Sequence, residues 1–292
     1  MNGILIVDKP SGWTSFDVIA KLRGILGTRK IGHSGTLDPM ATGVLPVFVG
    51  MARKAVDLQQ DHSKAYRAVV RFGVATDTGD VTGTALEQRP TAVTSQQLLE
   101  VIPGFLGDQL QTPPMYSAVK INGMPLYKAA RQGVEVERKA RPIVIHSIRL
   151  VEQCGPQDFV LDVDCGKGTY IRVLAEDMGR ALGVPATLAG LRRTRAGVYG
   201  LENSHTLEQI QAARDAGTLD QLLVPVDTVF AHLPCVTVNE ATRARLFNGA
   251  PTYRFKATEG RYRLYGPDRG FLGLGRVEES TLKVEKMFVE RA

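Results

Sequence analysis

The residues whose types could do chemistry concentrate in one stretch, Gly32-His33-Ser34-Gly35-Thr36-Leu37-Asp38-Pro39. Asp38 is its only acid, and His33 is the nearest titratable neighbour in sequence. Gly32, Gly35 and Pro39 interrupt helix and strand, so the stretch reads as a loop. Proline drives the residue before it out of the α region, so the Asp38 backbone is expected to be extended and held. Two glycines let a bulky ligand come close to the backbone. A single held carboxylate serves as a reacting group or caps an ordinary turn, a place Asp favours on its own account. A glycosidase would need two carboxylates about 5 to 9 Å apart, and the loop supplies one; folding would have to bring the other. The chain has no P-loop, no H-E-x-x-H and no zinc-deaminase pattern, so phosphate-donor and metal chemistry have no motif to rest on.

The elements that must position this loop follow from periodicity. Gly3 to Asp8 reads as a strand and Lys9-Pro10-Ser11-Gly12 as a turn. A helix is expected from about Thr14, with Phe16, Ile19, Leu22 and Leu26 at helical spacing and Thr14-x-x-Asp17 as a capping box. Behind the loop, the apolar run Val44 to Val49 predicts a buried strand. Ala52 to Gln60 suits a helix. Lys64 to Gly73 suits a strand, with Tyr66, Ala68, Val70 and Phe72 on one face. Ala75 to Gly83 reads as a polar turn, and Ser95 to Leu106 as a short helix capped by Ser95. Ile143 to Glu152 and Asp158 to Cys165 read as a hairpin around Gly155-Pro156. Thr169 to Leu182 reads as a helix with Ile171, Leu174, Ala175, Met178 and Leu182 on one face. Thr187 to Arg195 reads as a strand and Thr206 to Ala216 as a helix. Leu223 to Leu233 reads as a linker. Beyond it come a short helix, Asn239 to Asn248, stopped by Gly249, and several short strands. Helices and strands do not alternate as βαβ units, and no G-x-G-x-x-G opens a helix. The class is therefore α+β with a mainly antiparallel sheet.

Composition sets the bounds. The 292 residues suffice for a large core and two domains. With 43% hydrophobic and 23% charged residues, the chain is ordinary for a soluble globular protein. The longest uncharged stretch, Pro39 to Ala52, is too short for a membrane span. Asp8-Lys9-Pro10 follows Ile4 to Val7 too soon for a signal peptide. Cys154, Cys165 and Cys235 form no C-x-x-C pair and are odd in number, which disfavours a disulfide framework or structural zinc and fits the cytoplasm. The net charge of +6 suits a polyanionic partner. Residues 231–292 carry 11 Lys/Arg against 7 Asp/Glu, a net of +4, so the first 230 residues hold only +2. Between Ala118 and Pro142 stand Lys120, Lys128, Arg131, Arg138, Lys139 and Arg141, opposed by Glu135 and Glu137. That run is either a solvated face or an RNA-gripping insertion.

The stretch GHSGTLDPMATGVLP resembles the catalytic loop of the TruB family of tRNA pseudouridine synthases. The resemblance continues, in order, through Lys9-Pro10-Ser11-Gly12, Lys64-Ala65-Tyr66-Arg67, Thr76-Asp77-Thr78-Gly79-Asp80, Pro113-Pro114-Met115-Tyr116-Ser117-Ala118, Gly168-Thr169-Tyr170-Ile171-Arg172 and Leu191-Arg192-Arg193. It implies isomerisation of uridine 55 in the tRNA T-loop after base flipping, without cofactor or metal. By the same resemblance Asp38 is the nucleophile and Arg172 its cationic partner. Tyr66 stacks on the base and takes part in proton transfer. Tyr170 and Leu191 complete the pocket, and His33 fills the space the flipped base leaves. Lys9, Lys64, Lys120, Arg192 and Arg193 fit phosphate contacts, as Arg195 does; a solvated rim fits them too. The resemblance also implies a catalytic domain over 1–230 with the insertion at about 111–141, and a PUA-like RNA-binding domain over 231–292. A monomer that needs no protein partner is expected. A tRNA-folding chaperone is the competing reading, but binding alone does not require an ionised Asp in an apolar pocket. The chain carries no long Lys-rich tail of the kind that would suit a subunit of a guide-RNA complex.

Overall fold

Thr14 caps the first helix as its spacing predicts. Its hydroxyl accepts from the Asp17 N–H, and the Asp17 carboxylate accepts from the Thr14 N–H. The computed structural model describes residues 1–121 and 123–290, and for Arg131 the backbone alone. The side chain of Arg131 and the tail's last residues, Arg291 and Ala292, therefore lie outside the described residues. The N-terminal elements are β1 (Gly3–Lys9), α1 (Ser15–Leu26), β2 (Ile31–His33) and β3 (Thr42–Val49). Next come β4 (Lys64–Phe72), β5 (Val74–Thr76), β6 (Ala85–Gln88), α2 (Ser95–Val101) and β7 (Gly107–Gln111). The insertion holds β8 (Lys120–Ile121), β9 (Met124–Pro125) and α3 (Leu126–Arg131). Then follow β10 (Arg141–Gln153), β11 (Asp158–Cys165), α4 (Ile171–Ala181), β12 (Ala186–Ala196), β13 (Tyr199–Gly200), α5 (Leu207–Asp215) and β14 (Leu223–Val224). The C-terminal unit has β15 (Cys235–Thr237), α6 (Glu240–Phe247), β16 (Gly260–Tyr265), β17 (Phe271–Glu278) and β18 (Thr281–Met287).

The main sheet runs β14-β1-β3-β12-β4-β11-β10-β7, with β2 added on β3 and β13 on β12. Its pairings are antiparallel except one: β12 meets β3 in parallel, Arg192 opposite Thr42 and Arg193 opposite Gly43. That seam joins the two halves of the sheet. Gly43 sits on it at φ +100°, where an added Cβ would lie 2.2 Å from the Arg193 carbonyl oxygen. The run Val44 to Val49 is apolar throughout because both faces of β3 are buried. Helices α1 and α5 cover one face through Leu22, Ile25 and Ile210. The C-terminal unit covers the other through Leu274 and Phe288. On the second half of the sheet, Tyr66, Ala68, Val70 and Phe72 face α2 and α4 as alternation predicts.

Several sequence expectations need correction. Phe16 lies off the buried face of α1, at 67% exposure. The face is Val18, Ile19, Leu22, Ile25 and Leu26, and Phe16 is two residues, about 200°, from Val18. Instead Phe16 lies beneath the Arg23 guanidinium, 6.0 Å from the ring centroid. The cap of α2 is Thr94, not Ser95, because Gln97 completes a capping box with it. Ala52 to Gln60 forms a 3-10 segment over Gly50–Leu58. The turn at Ala75 begins inside a short hairpin of β5 with β6. Leu223 to Leu233 is no linker. Its start is β14 on the edge of β1, and Val226, Val229 and Phe230 are buried.

Candidate active site

The Asp38 loop leaves β2 and enters β3 beside the seam, which puts it against β12, β4 and the start of α4. Leu37 packs into the same apolar cluster as Tyr66, Ile171 and Leu191. Three buried side chains hold the loop, Ser15 and Lys9 from one side and Arg193 from the other. Ser15, at the start of α1, accepts from the Leu37 N–H at 2.9 Å and donates to the Leu37 carbonyl at 3.2 Å. Lys9 donates to the carbonyls of Pro10, Trp13 and Pro39 at 2.8, 2.6 and 3.2 Å. On the far side Arg193 donates to the carbonyls of Val44, Gly35 and Thr36 at 2.7, 3.0 and 3.5 Å.

Arg172 is the centre of the site's electrostatics. It is only 4% exposed, while the side chain of Asp38 keeps 34% of its surface open. The Arg172 Nε lies 2.9 Å from Asp38 Oδ2, and Nη2 donates to Oδ1 at 3.2 Å. Nη1 donates to the Thr78 carbonyl and Nη2 to the Tyr116 carbonyl, each at 2.7 Å. The planar fork is therefore fixed by three groups, the Asp38 carboxylate and the Thr78 and Tyr116 carbonyls, a task suited to guanidinium and not to ammonium. Folding also brings a second acid. Asp80 Oδ2 lies 4.0 Å from Arg172 Nε. Asp80 is buried, and its Oδ1 is taken by the Thr78 hydroxyl, the Thr82 N–H and the Thr82 hydroxyl. It serves Arg172 and is closed to solvent, so it does not make the open carboxylate pair of a glycosidase.

Burial sets the protonation of the neighbourhood. It pushes Asp38 above the ordinary carboxylate range; Arg172 opposes this, and Asp80 adds to it. It brings Lys9 down to about 8, with Asp38 as the opposing charge. His33 and Lys64 are lowered, by burial and then by Arg193. Burial raises the Tyr66 phenol, against Arg193, so both Tyr66 and His33 are neutral at pH 7. The His33 Nδ1 is buried with no hydrogen-bond partner.

The structure thus brings Asp38, Arg172, Tyr66 and Leu191 to one place. His33 lies on β2, which pairs with β3 at Val47, at the mouth of the same loop. Tyr170 is half-buried at the N-terminal end of α4. Lys9 and Arg193 depart from the phosphate-contact expectation. Both are fully buried; Lys9 donates to backbone carbonyls, and Arg193 to backbone carbonyls and the Tyr66 hydroxyl. A strongly hydrated cation is buried only when such acceptors replace water, so these two build the loop. Arg192 is paired with Asp8 at 2.7 Å and Arg195 with Asp164 at 2.6 Å, both partly exposed. Lys64 donates to the His62 carbonyl at 2.9 Å, and Lys120 is exposed on the β8–β9 hairpin. Three structural partners carried no role in the sequence reading: Ser15, Asp80 and Gln111. Asp80 stood within a family-like segment, Ser15 directly follows a cap residue, and Gln111 stood at the start of the insertion with no role of its own.

Comparison with known proteins agrees with this architecture. The model of the TruB family pseudouridylate synthase N-terminal domain matches residues 23–171. The tRNA pseudouridylate synthase B C-terminal domain matches 172–231, and the pseudouridine synthase II TruB C-terminal model matches 234–288. A tRNA pseudouridine synthase B from Azoarcus sp. (strain BH72) is 42% identical over 287 residues, 98% of this chain and 95% of that protein. One from Stutzerimonas stutzeri (strain A1501) is 43% identical over 283 residues, 96% of this chain and 92% of that protein. Among solved structures, a chain of an H/ACA RNP bound to a substrate RNA containing 2′-deoxyuridine superimposes with a TM-score of 0.72. Its identity is 25%, covering 99% of this chain and 86% of that one. A Cbf5-Nop10-Gar1 complex gives the same TM-score at 27% identity, covering 99% and 85%. The fold is that of the pseudouridine synthases, a class of isomerases. Within that class the chain belongs to the TruB family.

Proposed function

We propose that this chain converts uridine 55 in the T-loop of tRNA to pseudouridine, with Asp38 as the reacting carboxylate and no cofactor. The observation that carries the reading is the Asp38–Arg172 pair. A carboxylate open on one side is held by a guanidinium that is itself fully enclosed. The reaction breaks the bond from C1′ to N1, turns the base, and forms the bond from C1′ to C5. The C5 proton is lost and N1 gains one, so the overall change is an isomerisation. Asp38 acts beside C1′ and C6, and its ionised form is the working one. Tyr66 supplies a stacking surface; a phenol kept neutral by burial suits stacking better than accepting the C5 proton. Tyr170 and Leu191 line the base. His33, neutral and unpartnered, takes the room left by a uridine turned out of its stack. Lys64, Lys120 and Arg192 contact phosphates in this reading; Lys9 and Arg193 do not. Residues 1–230 do the chemistry, with 111–141 as the RNA-gripping insertion, and 231–292 form a PUA-like binding unit. The chain works as a monomer in the cytoplasm, where its free, exposed Cys154 and Cys235 stay reduced.

The test is tritium release from [5-³H]uridine in unmodified tRNA, run beside a tRNA carrying C at position 55. Release from the first and none from the second is expected. Equal release from both would put the target elsewhere.

A further inference from the structure

The insertion has a defined root. Gln111 ends β7, and its Cα partner is Arg141, the first residue of β10. The chain thus leaves the sheet at Gln111 and returns at Arg141, and residues 112–140 hang from that pair. The Gln111 side chain points away from the insertion and into the site. It is 5% exposed. Its Oε1 accepts from the Tyr170 N–H at 2.7 Å, and its Nε2 donates to the Tyr170 carbonyl at 3.1 Å. One amide therefore closes on both backbone groups of a residue two positions before Arg172. Five residues past Gln111 stands Tyr116, whose carbonyl accepts from Arg172 Nη2 at 2.7 Å.

Ile143 and Ile145, just past the root, pack in one buried cluster with Ile171 and Leu174 of α4, but the root itself stands off from the helix. A cleft of about 790 Å³ opens between them, lined by Thr78, Gln111, Tyr116, Leu174 and Glu176. Across that cleft, the Gln111 amide and the Tyr116 carbonyl fix where α4 begins. Tyr170 has no side-chain cap of its own at the helix start. The bond from Gln111 satisfies one of the orphan N–H groups that a capping side chain would otherwise serve.

We propose that Gln111 is a positioning residue for the isomerisation: it ties the root of the insertion to the backbone that carries Tyr170 and Arg172. The inference rests on the reading of Asp38 and Arg172 given above. Gln111 touches no reacting atom. It acts by keeping the Arg172 fork aligned with Asp38, so its loss appears in the chemical step and not in tRNA affinity.

The experiment is single-turnover tritium release at saturating enzyme, with tRNA affinity measured separately, for wild type, Gln111→Met, Gln111→Glu and Gln109→Met. Gln111→Met keeps length and removes both bonds. The rate is expected to fall about tenfold or more while Kd stays within about twofold, the signature of an interaction realised in the transition state. Gln109→Met, on the same strand, loses side-chain bonds to the Gly104 and Leu106 carbonyls that precede it, and should keep the wild-type rate. Gln111→Glu supplies the specific signature. Its ionised form sets a carboxylate oxygen against the Tyr170 carbonyl; its protonated form restores the donor. The ratio of its rate to wild type should rise as pH falls, which removes the titration of Asp38 common to both. A wild-type rate for Gln111→Met, or a rise in Kd with the saturated rate unchanged, overturns the proposal. If Gln111→Met does not fold, a pH-independent Gln111→Glu ratio overturns it. Release by wild type from tRNA, with none from the Asp38→Asn variant, reports on the underlying reading separately.

Discussion

At the residue scale the site is an opposition between burial and pairing. Burial works against the charge on Asp38, and Arg172 works for it. The result is a carboxyl held above its ordinary range, with Arg172 as the neighbour that favours its ionised form. Asp38→Asn removes the charge while keeping the size. It should cut the single-turnover rate by about 10⁴-fold, roughly 5.4 kcal/mol, with tRNA affinity nearly unchanged. Arg172→Lys keeps a cation but cannot serve Asp38, Thr78 and Tyr116 with one planar fork. It should be slower than wild type and faster than Asp38→Asn. Retention of more than about a tenth of the wild-type rate by Asp38→Asn would remove Asp38 from the chemistry. The same opposition gives a pH dependence with a defined sign. Because the folded carboxyl is raised, protonation and loss of the working form begin at a higher pH than for a free aspartate as the solution is acidified. The acid limb of kcat/KM should therefore lie above about 4. A limb at or below that value would show that pairing, and not burial, sets the Asp38 proton.

At the scale of elements, α1 is the support of the loop. Its capping box was readable from Thr14 and Asp17, because capping is local chemistry between residues three apart. The use of the next residue was not readable. Ser15 closes on both backbone groups of Leu37, 22 residues away, a partnership that exists only once α1 lies beside the loop. Ser15→Ala leaves the buried Leu37 N–H without an acceptor, at a cost of about 1–3 kcal/mol. Urea unfolding should show that loss. The single-turnover rate should fall as well, since Asp38 is the next residue. A stability loss with a wild-type rate would mean that the loop holds its shape without α1.

At the scale of the whole molecule, the C-terminal unit is attached through a shared core. Phe288 packs on Phe230 and Phe271, with ring centroids 5.5 and 5.7 Å apart. These rings share a cluster with Ile4, Ile6 and Phe48 from the main sheet. Deleting residues 231–292 would expose that face of β1 and β3, so it tests stability and binding together. Point changes separate them. Phe288→Ala should cost about 3–5 kcal/mol, read from the urea midpoint. Arg254→Gln with Lys256→Gln, two exposed cations of the C-terminal unit, should instead weaken tRNA binding and flatten its salt dependence by about two phosphate contacts, leaving the midpoint in place. An unchanged midpoint for Phe288→Ala would show that the two sheets are merely adjacent.

What the sequence determined by itself was local or periodic. Alternation on Lys64–Phe72, the apolar run of β3, the cap at Thr14 and the break at Gly249 each depend on neighbours within one turn or one pleat. The loop around Asp38 could be singled out because its glycines and proline constrain backbone locally. What only the tertiary structure decided involves partners far apart in the chain. Leu223 to Leu233 looked like a linker because Pro225 within it and Pro234 after it break any period, yet Phe230 finds its core among residues from β1, β3 and β17. Phe16 matched helical spacing, but the orientation of the whole helix turned it outward. Lys9 and Arg193 have the side chains of phosphate ligands. They became buried props because the parallel join of β12 to β3, and the turn after β1, surround them with carbonyls and leave no path for solvent. Charge is legible in a sequence, but whether water or backbone receives it depends on which surfaces the fold closes.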